Sequence, residues 1–227
     1  MIRAPIFDVS TLNTKMIYIT SDLHFSHSNI VWFCPDTRSR FVTEQGIDYD
    51  HLRSLVYDPA SKLEPHQKRD LMAPIMYYMN QQIIDAINAT VKPDDVLYIL
   101  GDVSFAKVPK TIQLLRQLKC KNIILIRGNH DPINLPEFDA CFSEVCDYKE
   151  ISHDGFKVIM SHYPILEWNR MHHGSIHFHG HTHGTPKEIH QYRSADVGFD
   201  ATGKIVVTMS EMIAKVKNNP IGTHHQA

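Results

Sequence analysis

Five short polar segments each stand directly behind an apolar, β-branched run, and this repeated arrangement restricts the possible folds more than any other feature of the chain. Met16-Ile17-Tyr18-Ile19-Thr20 leads into Asp22-Leu23-His24, and Val96-Leu97-Tyr98-Ile99-Leu100 leads into Gly101-Asp102. Asn122 to Ile126 leads into Gly128-Asn129-His130-Asp131, Lys157 to Ser161 into His162-Tyr163-Pro164, and Ser175 to His179 into Gly180-His181-Thr182-His183. Short apolar runs that stop at polar residues read as buried strands. Loops beyond the carboxyl ends of such strands converge on a ligand in open α/β sheets.

The intervening stretches supply the helices. Asn29 to Phe33 reads as a short helix ended by Pro35. Leu71 to Ala89 has Ile75, Met79, Ile83 and Ile87 at helical spacing, and Val108 to Leu118 is a further helical stretch. The order strand, helix, strand, helix, strand implies a largely parallel sheet with right-handed crossovers. After Pro136 the runs shorten: Lys157 to Ser161, Ser175 to His179, Gln191 to Val197 and Lys204 to Thr208, with Glu211 to Val216 closing as a helix. The expectation is an α/β fold of two sheets packed together with helices outside. The 227 residues form one domain, and 35–70, with Asp-Pro, Glu-Pro and scattered charges, is a long loop or a cap over the site.

The polar segments carry the donors of a metal centre. They offer carboxylate, imidazole and amide groups but no thiolate, a set suited to Mn²⁺, Fe or Zn²⁺ and unlike a structural zinc site. In Asp22-x-His24 and His181-x-His183 an extended backbone would turn both side chains the same way. Glycines before Asp102, Asn129 and His181 would let the chain leave its strand where a side chain would hinder it. Taken singly, each segment is also an ordinary turn: Gly-Asp is a common turn dipeptide, and Asp-x-His carries little by itself. Their occurrence together, each behind a strand, is what points to a site.

Composition narrows the classes further. A net charge of -2 argues against a protein that coats nucleic acid, and 16 histidines exceed what a structural domain needs. His224 and His225 look like a histidine tail. Cys34, Cys120, Cys141 and Cys146 lack CxxC spacing and read as reduced thiols of a cytoplasmic protein, a Cys141–Cys146 disulfide being the alternative. No apolar run reaches the roughly 20 residues of a membrane span. The opening segment, Met1 to Lys15, has no apolar core and does not read as a secretion signal.

The ordered set Asp-x-His, Gly-Asp, Gly-Asn-His-Asp, His, Gly-His-x-His resembles the signature of the calcineurin-like metallophosphoesterases, from about Met16 to Asp200. Ser21 to Ile30 is also similar to a small bacterial and phage branch of that family. The resemblance implies two facing mixed β-sheets flanked by helices, in four layers, with two divalent metal ions at the sheet edge. Mn²⁺ is the expected ion, with Fe, Zn²⁺ or Ni²⁺ as alternatives. Carried over by position, Asp22, His24 and His183 would bind the first metal and Asn129, His162 and His181 the second, with Asp102 bridging. His130 takes the place of a catalytic histidine. Gly101-Asp102-Val103-Ser104-Phe105 lacks the further Asp and Arg of the phosphoprotein-phosphatase branch, which puts phosphoprotein hydrolysis in doubt.

The implied reaction is attack on phosphorus by a hydroxide held between the metals, with His130 protonating the leaving oxygen. The expected substrate is a small, nucleotide-like phosphate ester, handled by a phosphodiesterase or phosphatase. A nuclease is a second reading, which the near-neutral charge disfavours. A silent binding scaffold is a third, which the complete ligand set disfavours. His27, near one helical turn past His24, and Arg127, beside Gly128, are candidate substrate-binding residues, with Arg40 less close. His172, His173, His177 and His179 are expected near the site or at the surface rather than as ligands. Trp168 is either an aromatic wall or a core residue. The sequence sets neither the oligomeric state nor the particular substrate.

Overall fold

The computed structural model describes residues 15–223. The opening segment through residue 14 and the His224–His225 tail lie outside the described residues. In chain order the elements are β1 (Ile17–Thr20), α1 (Ile30–Phe33), α2 (Pro35–Arg38), α3 (Arg40–Thr43), α4 (Tyr49–Val56), α5 (Pro65–Thr90), β2 (Val96–Ile99), α6 (Val108–Leu115), β3 (Asn122–Ile126) and α7 (Pro136–Asp139). There follow β4 (Glu144–Cys146), β5 (Tyr148–His153), β6 (Phe156–Ser161), β7 (Ile176–His179), β8 (Ser194–Asp196), α8 (Phe199–Thr202), β9 (Val207–Thr208) and α9 (Met209–Val216).

The strands form two mixed sheets. One runs β4-β3-β2-β1-β9, parallel except at β9, and the other runs β5-β6-β7-β8, parallel except at β5. Alternation along the strands explains how they stack. Ile19, Tyr98, Leu100 and Ile126 share one buried cluster with Val158, Met160, Ile176 and Phe178 of the second sheet, so the two sheets face each other. The intervening positions Tyr18, Leu97, Ile99, Ile123 and Leu125 turn the other way, into a core with Ile75, Met79, Ile83 and Leu114 of α5 and α6. Both faces of the first sheet are covered, which is why its strands read as unbroken apolar runs.

The segment 35–70 is not a loop. It contains α2, α3, α4 and the first turn of α5, and Phe41, Val42 and Leu52 enter the main core. Helix α5 begins at Pro65, where the Gln67 side chain accepts from the Glu64 N–H at 2.9 Å in a capping box. It therefore starts six residues before the periodicity of its apolar face becomes visible. The strands β4 and β5 were also not anticipated. All four cysteines are free. Among the described residues no helix is long and apolar enough to cross a membrane.

His177 and His179 are fully buried in β7 and not at the surface, and His179 lies behind the site with its Nδ1 2.8 Å from the Gly180 carbonyl. The Nε2 of His177 accepts from the Ile165 N–H at 3.1 Å, and Nδ1 lies 3.3 Å from the Ile159 carbonyl. Burial, with His179 beside it, pushes the His177 imidazole down from 6.5 to about 3. It stays neutral in the folded chain while the unfolded chain takes up a proton below about pH 6.5. Stability is therefore full above that pH and falls as pH drops toward 3, by up to about 1.4 kcal/mol per pH unit for this one proton. In His177→Gln, which keeps an acceptor and a donor, urea unfolding should lose less stability between pH 7 and pH 5 than in the parent chain. Equal losses would show that His177 is not the source.

Candidate metal centre

The strand ends bring the candidate ligands together through a backbone zipper. Asp22 N donates to Gly101 O, His24 N to Asp102 O and Phe25 N to Val103 O, at 3.0–3.1 Å, so the loops after β1 and β2 run side by side. Asp131 fastens the third loop: its carboxylate accepts from the backbone N–H groups of Asp102, Val103 and Gly128, each at 2.9 Å. Even with these three donors, burial pushes the Asp131 carboxyl up. Asp196 does the same for the last loop, accepting from Thr182 Oγ1 at 2.6 Å, Gly184 N at 3.1 Å and Gly198 N at 2.7 Å.

The paired ligands do not use an extended backbone. Asp22, His24, Asp102, His181 and His183, five of the seven candidate ligands, have φ between 47° and 68°. The left-handed region is disfavoured for residues with a Cβ, and such conformations gather at functional sites. Two turns of this kind, one residue apart, swing both side chains of each pair to the same place. Of the glycines, Gly101 has φ +87°, whereas Gly180 is required by crowding: a Cβ there would overlap Ser21 Oγ and Asp22 Oδ2.

Two groups of donors result. Asp22, His24 and His183 have ligand atoms within 4.8 Å of one another, and so do Asp102, His162 and His181. Asn129 joins the second, its Oδ1 lying 3.0 Å from His162 Nε2. Asp102 faces both: Oδ2 is 3.8 Å from His24 Nε2 and Oδ1 is 3.6 Å from His162 Nε2. Asp22 Oδ1 and His24 Nε2 lie 3.7 Å apart, buried and without any hydrogen-bond partner. Leaving such atoms unpaired costs free energy in a protein interior. Their donor type and spacing fit a bound divalent cation.

The imidazoles are oriented from behind. His162 Nδ1 is 2.7 Å from the Leu100 carbonyl, so it carries the proton and leaves Nε2 as the free lone pair. His24 Nδ1 is 3.1 Å from His27 Nδ1. For His24 to present Nε2 to a cation, it must donate through Nδ1 to His27. His183 Nδ1 is 2.8 Å from Asp200 Oδ2. Burial would lower the His183 imidazole, but Asp200, Cys34 and Asp22 outweigh it and push it up to about 10. Asp200 is itself held by Arg38, whose Nε is 2.8 Å from Oδ1 and whose Nη2 is 2.9 Å from Oδ2.

Arg38 and Asp200 were not visible as site residues in the sequence. Arg38 is fully buried, and its guanidinium also donates to the Asp22 and Leu23 carbonyls. Nothing in the local pattern of Pro35-Asp36-Thr37-Arg38 marks this, since its carboxylate partner Asp200 lies 162 residues away.

The remaining candidates separate. His130 stands at the rim, 45% exposed, with Nε2 4.0 Å from Asp102 Oδ2 and its N–H donating to Asp102 Oδ1 at 3.0 Å. His27 lies between the stacked Phe105 ring, at 3.7 Å, and the edge of Phe33. Burial, followed by the neighbouring His24 and Arg38, pushes it down to about 3. Arg127 is engaged by its own loop. Its guanidinium is bound by both Asp139 oxygens, at 2.8 and 2.9 Å, and by the Pro132 carbonyl, which leaves it fastening the loop after β3. Arg40 lies over Phe41 and Phe199. Trp168 is buried and donates to Ser175, a core role.

A family model described as calcineurin-like phosphoesterase matches residues 15–185. The chain belongs to that family. An uncharacterized protein of Methanocaldococcus jannaschii is 27% identical over 173 residues, spanning 76% of this chain and 72% of that one. A solved protein of unknown function from Aquifex aeolicus covers 89% of this chain and all of its own, at 21% identity and a TM-score of 0.58, and shares the fold. The phosphoesterase Yfce of E. coli is 14% identical over 91% of this chain and 85% of that one, at a TM-score of 0.39.

Proposed function

We propose that the chain hydrolyses a small phosphate ester, most simply a nucleotide-like diester or monoester, at a binuclear centre made by Asp22, His24 and His183 on one side and Asn129, His162 and His181 on the other, joined by Asp102. The observation that carries this reading is the unpartnered pair Asp22 Oδ1 and His24 Nε2, buried beside a second histidine group that faces the same Asp102. Two divalent ions bound there, Mn²⁺ foremost, would supply Lewis acidity to the phosphate and make a water acidic enough to serve as nucleophile near neutral pH.

The chain's own groups do the rest. Asp22 and Asp102 set two negative charges against the cations in a buried floor. His27 offers an N–H toward the phosphate. His130, exposed at the rim and held by its backbone N–H to Asp102, is placed to deliver a proton to the leaving oxygen. Metal content by elemental analysis, with Mn²⁺-dependent turnover of bis(p-nitrophenyl) phosphate, tests the reading. A chain that binds no metal or turns over nothing would refute it.

The assignment of His130 has a sharper test. p-Nitrophenolate departs without a proton, whereas a ribose oxygen does not. His130→Ala should therefore lose roughly 10–100-fold more rate on a nucleoside ester than on a p-nitrophenyl ester, within the span of general-acid catalysis. Metal content should not change. Equal losses on both esters would make His130 a positioning residue, and loss of metal would make it a ligand.

A further inference from the structure

Beside the loop that follows His24 lies a trough that the reaction as described leaves unused. It is a cavity of about 500 Å³ between the loop 26–29, α4 and the first turns of α5. A second hollow of about 320 Å³ shares its walls at Ser26, Ala73 and Met76 and continues along α5 to Lys110. The floor is apolar, with Val56, Leu63, Met72 and Met76, and Lys68 and Arg69 stand over it. No Asp or Glu lines either hollow. Among the described residues, Lys68 and Arg69 make no ion pair or side-chain hydrogen bond. Arg38 and Arg127, by contrast, are each fully engaged with a carboxylate.

The trough is fixed to the metal centre on one particular side. Ser26, two residues past His24, has its N–H donating to Asn80 Oδ1 at 2.8 Å, and Asn80 Nδ2 donates back to Ser26 Oγ at 2.8 Å. The loop wall is thereby pinned to α5. The ring centroid of Phe105 lies 3.7 Å from that of His27 and 4.4 Å from that of His130, which links the acid to the loop whose Ser26, Ser28 and Asn29 line the trough. Tyr163, beside His162 and His181, borders the other group of ligands. A substrate with its leaving oxygen at His130 would send its leaving group past His27 toward the trough.

We infer that the trough holds the leaving group of the substrate and that Lys68 and Arg69 bind a second phosphate carried on it. This rests on the phosphoesterase reading above. Two unpaired cations with no opposing carboxylate suit a phosphate, which an arginine can grip through two parallel N–H groups. A floor of two methionines and two aliphatic residues suits the flat face of a base between the two phosphates, since methionine adapts to ring surfaces.

The test uses bis(p-nitrophenyl) phosphate and thymidylyl-thymidine, the latter plain or with a terminal phosphate at either end. In the metal-free protein, calorimetric titration should show one terminally phosphorylated form binding roughly tenfold more tightly than the plain dinucleotide, the scale of one charge-assisted contact. With Mn²⁺ the same advantage should appear in KM. Lys68→Ala/Arg69→Ala should erase both advantages while the constants for bis(p-nitrophenyl) phosphate and the unfolding midpoint stay as in the parent. The inference is overturned if the terminal phosphate gives no advantage, or if the advantage survives in the double variant. If the parent turns over no ester with Mn²⁺ yet the titration shows the preference and its loss, the catalytic reading falls and the anion site stands.

Discussion

Asp102→Asn is expected to reduce turnover by on the order of a thousandfold, the scale at which removal of an electrostatic anchor is felt in a buried site. The side chain is 3% exposed, and its two oxygens face different groups, Oδ2 toward His24 and Oδ1 toward His162. An amide keeps the shape but halves the acceptors and removes the charge that two neighbouring cations require between them. The substitution should therefore lower metal content at both positions, and not at one alone. Asp102 Oδ1 also accepts from the His130 N–H, a bond that an asparagine oxygen in that place can retain, so the loop should survive. Elemental analysis with initial rates on bis(p-nitrophenyl) phosphate decides it. A variant with two ions per chain and near-parent rates would remove Asp102 from its proposed place.

Each group of candidate ligands combines buried side chains with more open ones. Asp22, His24 and His162 are 1%, 3% and 1% exposed, whereas His183 is 24% exposed and Asn129 and His181 stand at the rim.

What was legible in the sequence was what is local. Each polar block sits at the end of its own apolar strand, and a buried parallel strand announces itself by a continuous apolar run. Two features failed for physical reasons. The paired ligands were expected on extended backbone, but left-handed turns at Asp22, His24, His181 and His183 depend on the packing of two loops against each other, which no short window shows. The 35–70 segment was expected to be a long loop or a cap, the loop because Asp-Pro and Glu-Pro suggest breaks; the helices there are short, and what holds them is burial of Phe41, Val42 and Leu52. The β5–β6 hairpin did carry a local signal. Asp154-Gly155 is a two-residue loop with φ of 47° and 79°, flanked by the pair His153 and Phe156, as the tight hairpin turn requires.

The Arg38–Asp200 pair is the clearest case of a determinant that only the folded chain reveals, and it carries the largest expected stability effect. Arg38 and Asp200 side chains are 0% and 2% exposed. Burial alone would raise the Asp200 carboxyl, but His183, Arg38 and Thr37 together hold it well below the usual carboxylate range. Replacing Arg38 by Met fills much of the volume but leaves the carboxylate short of its main counter-charge and strips the Asp22 and Leu23 carbonyls of their donors. Removal of one partner from a buried pair costs about 3–5 kcal/mol, so Arg38→Met should shift urea unfolding of the metal-free chain by that amount. Adding Asp200→Asn should recover part of the loss, because the stranded charge goes with it. Activity should not recover in parallel: an asparagine presents His183 with a weaker acceptor, and the Asp22 turn stays unbraced. Recovery of stability without recovery of metal affinity would separate the two duties of the pair, folding the insertion onto the sheet and aiming His183. If Arg38→Met unfolds at the same urea concentration as the parent, the buried pair is not holding the segment to the site.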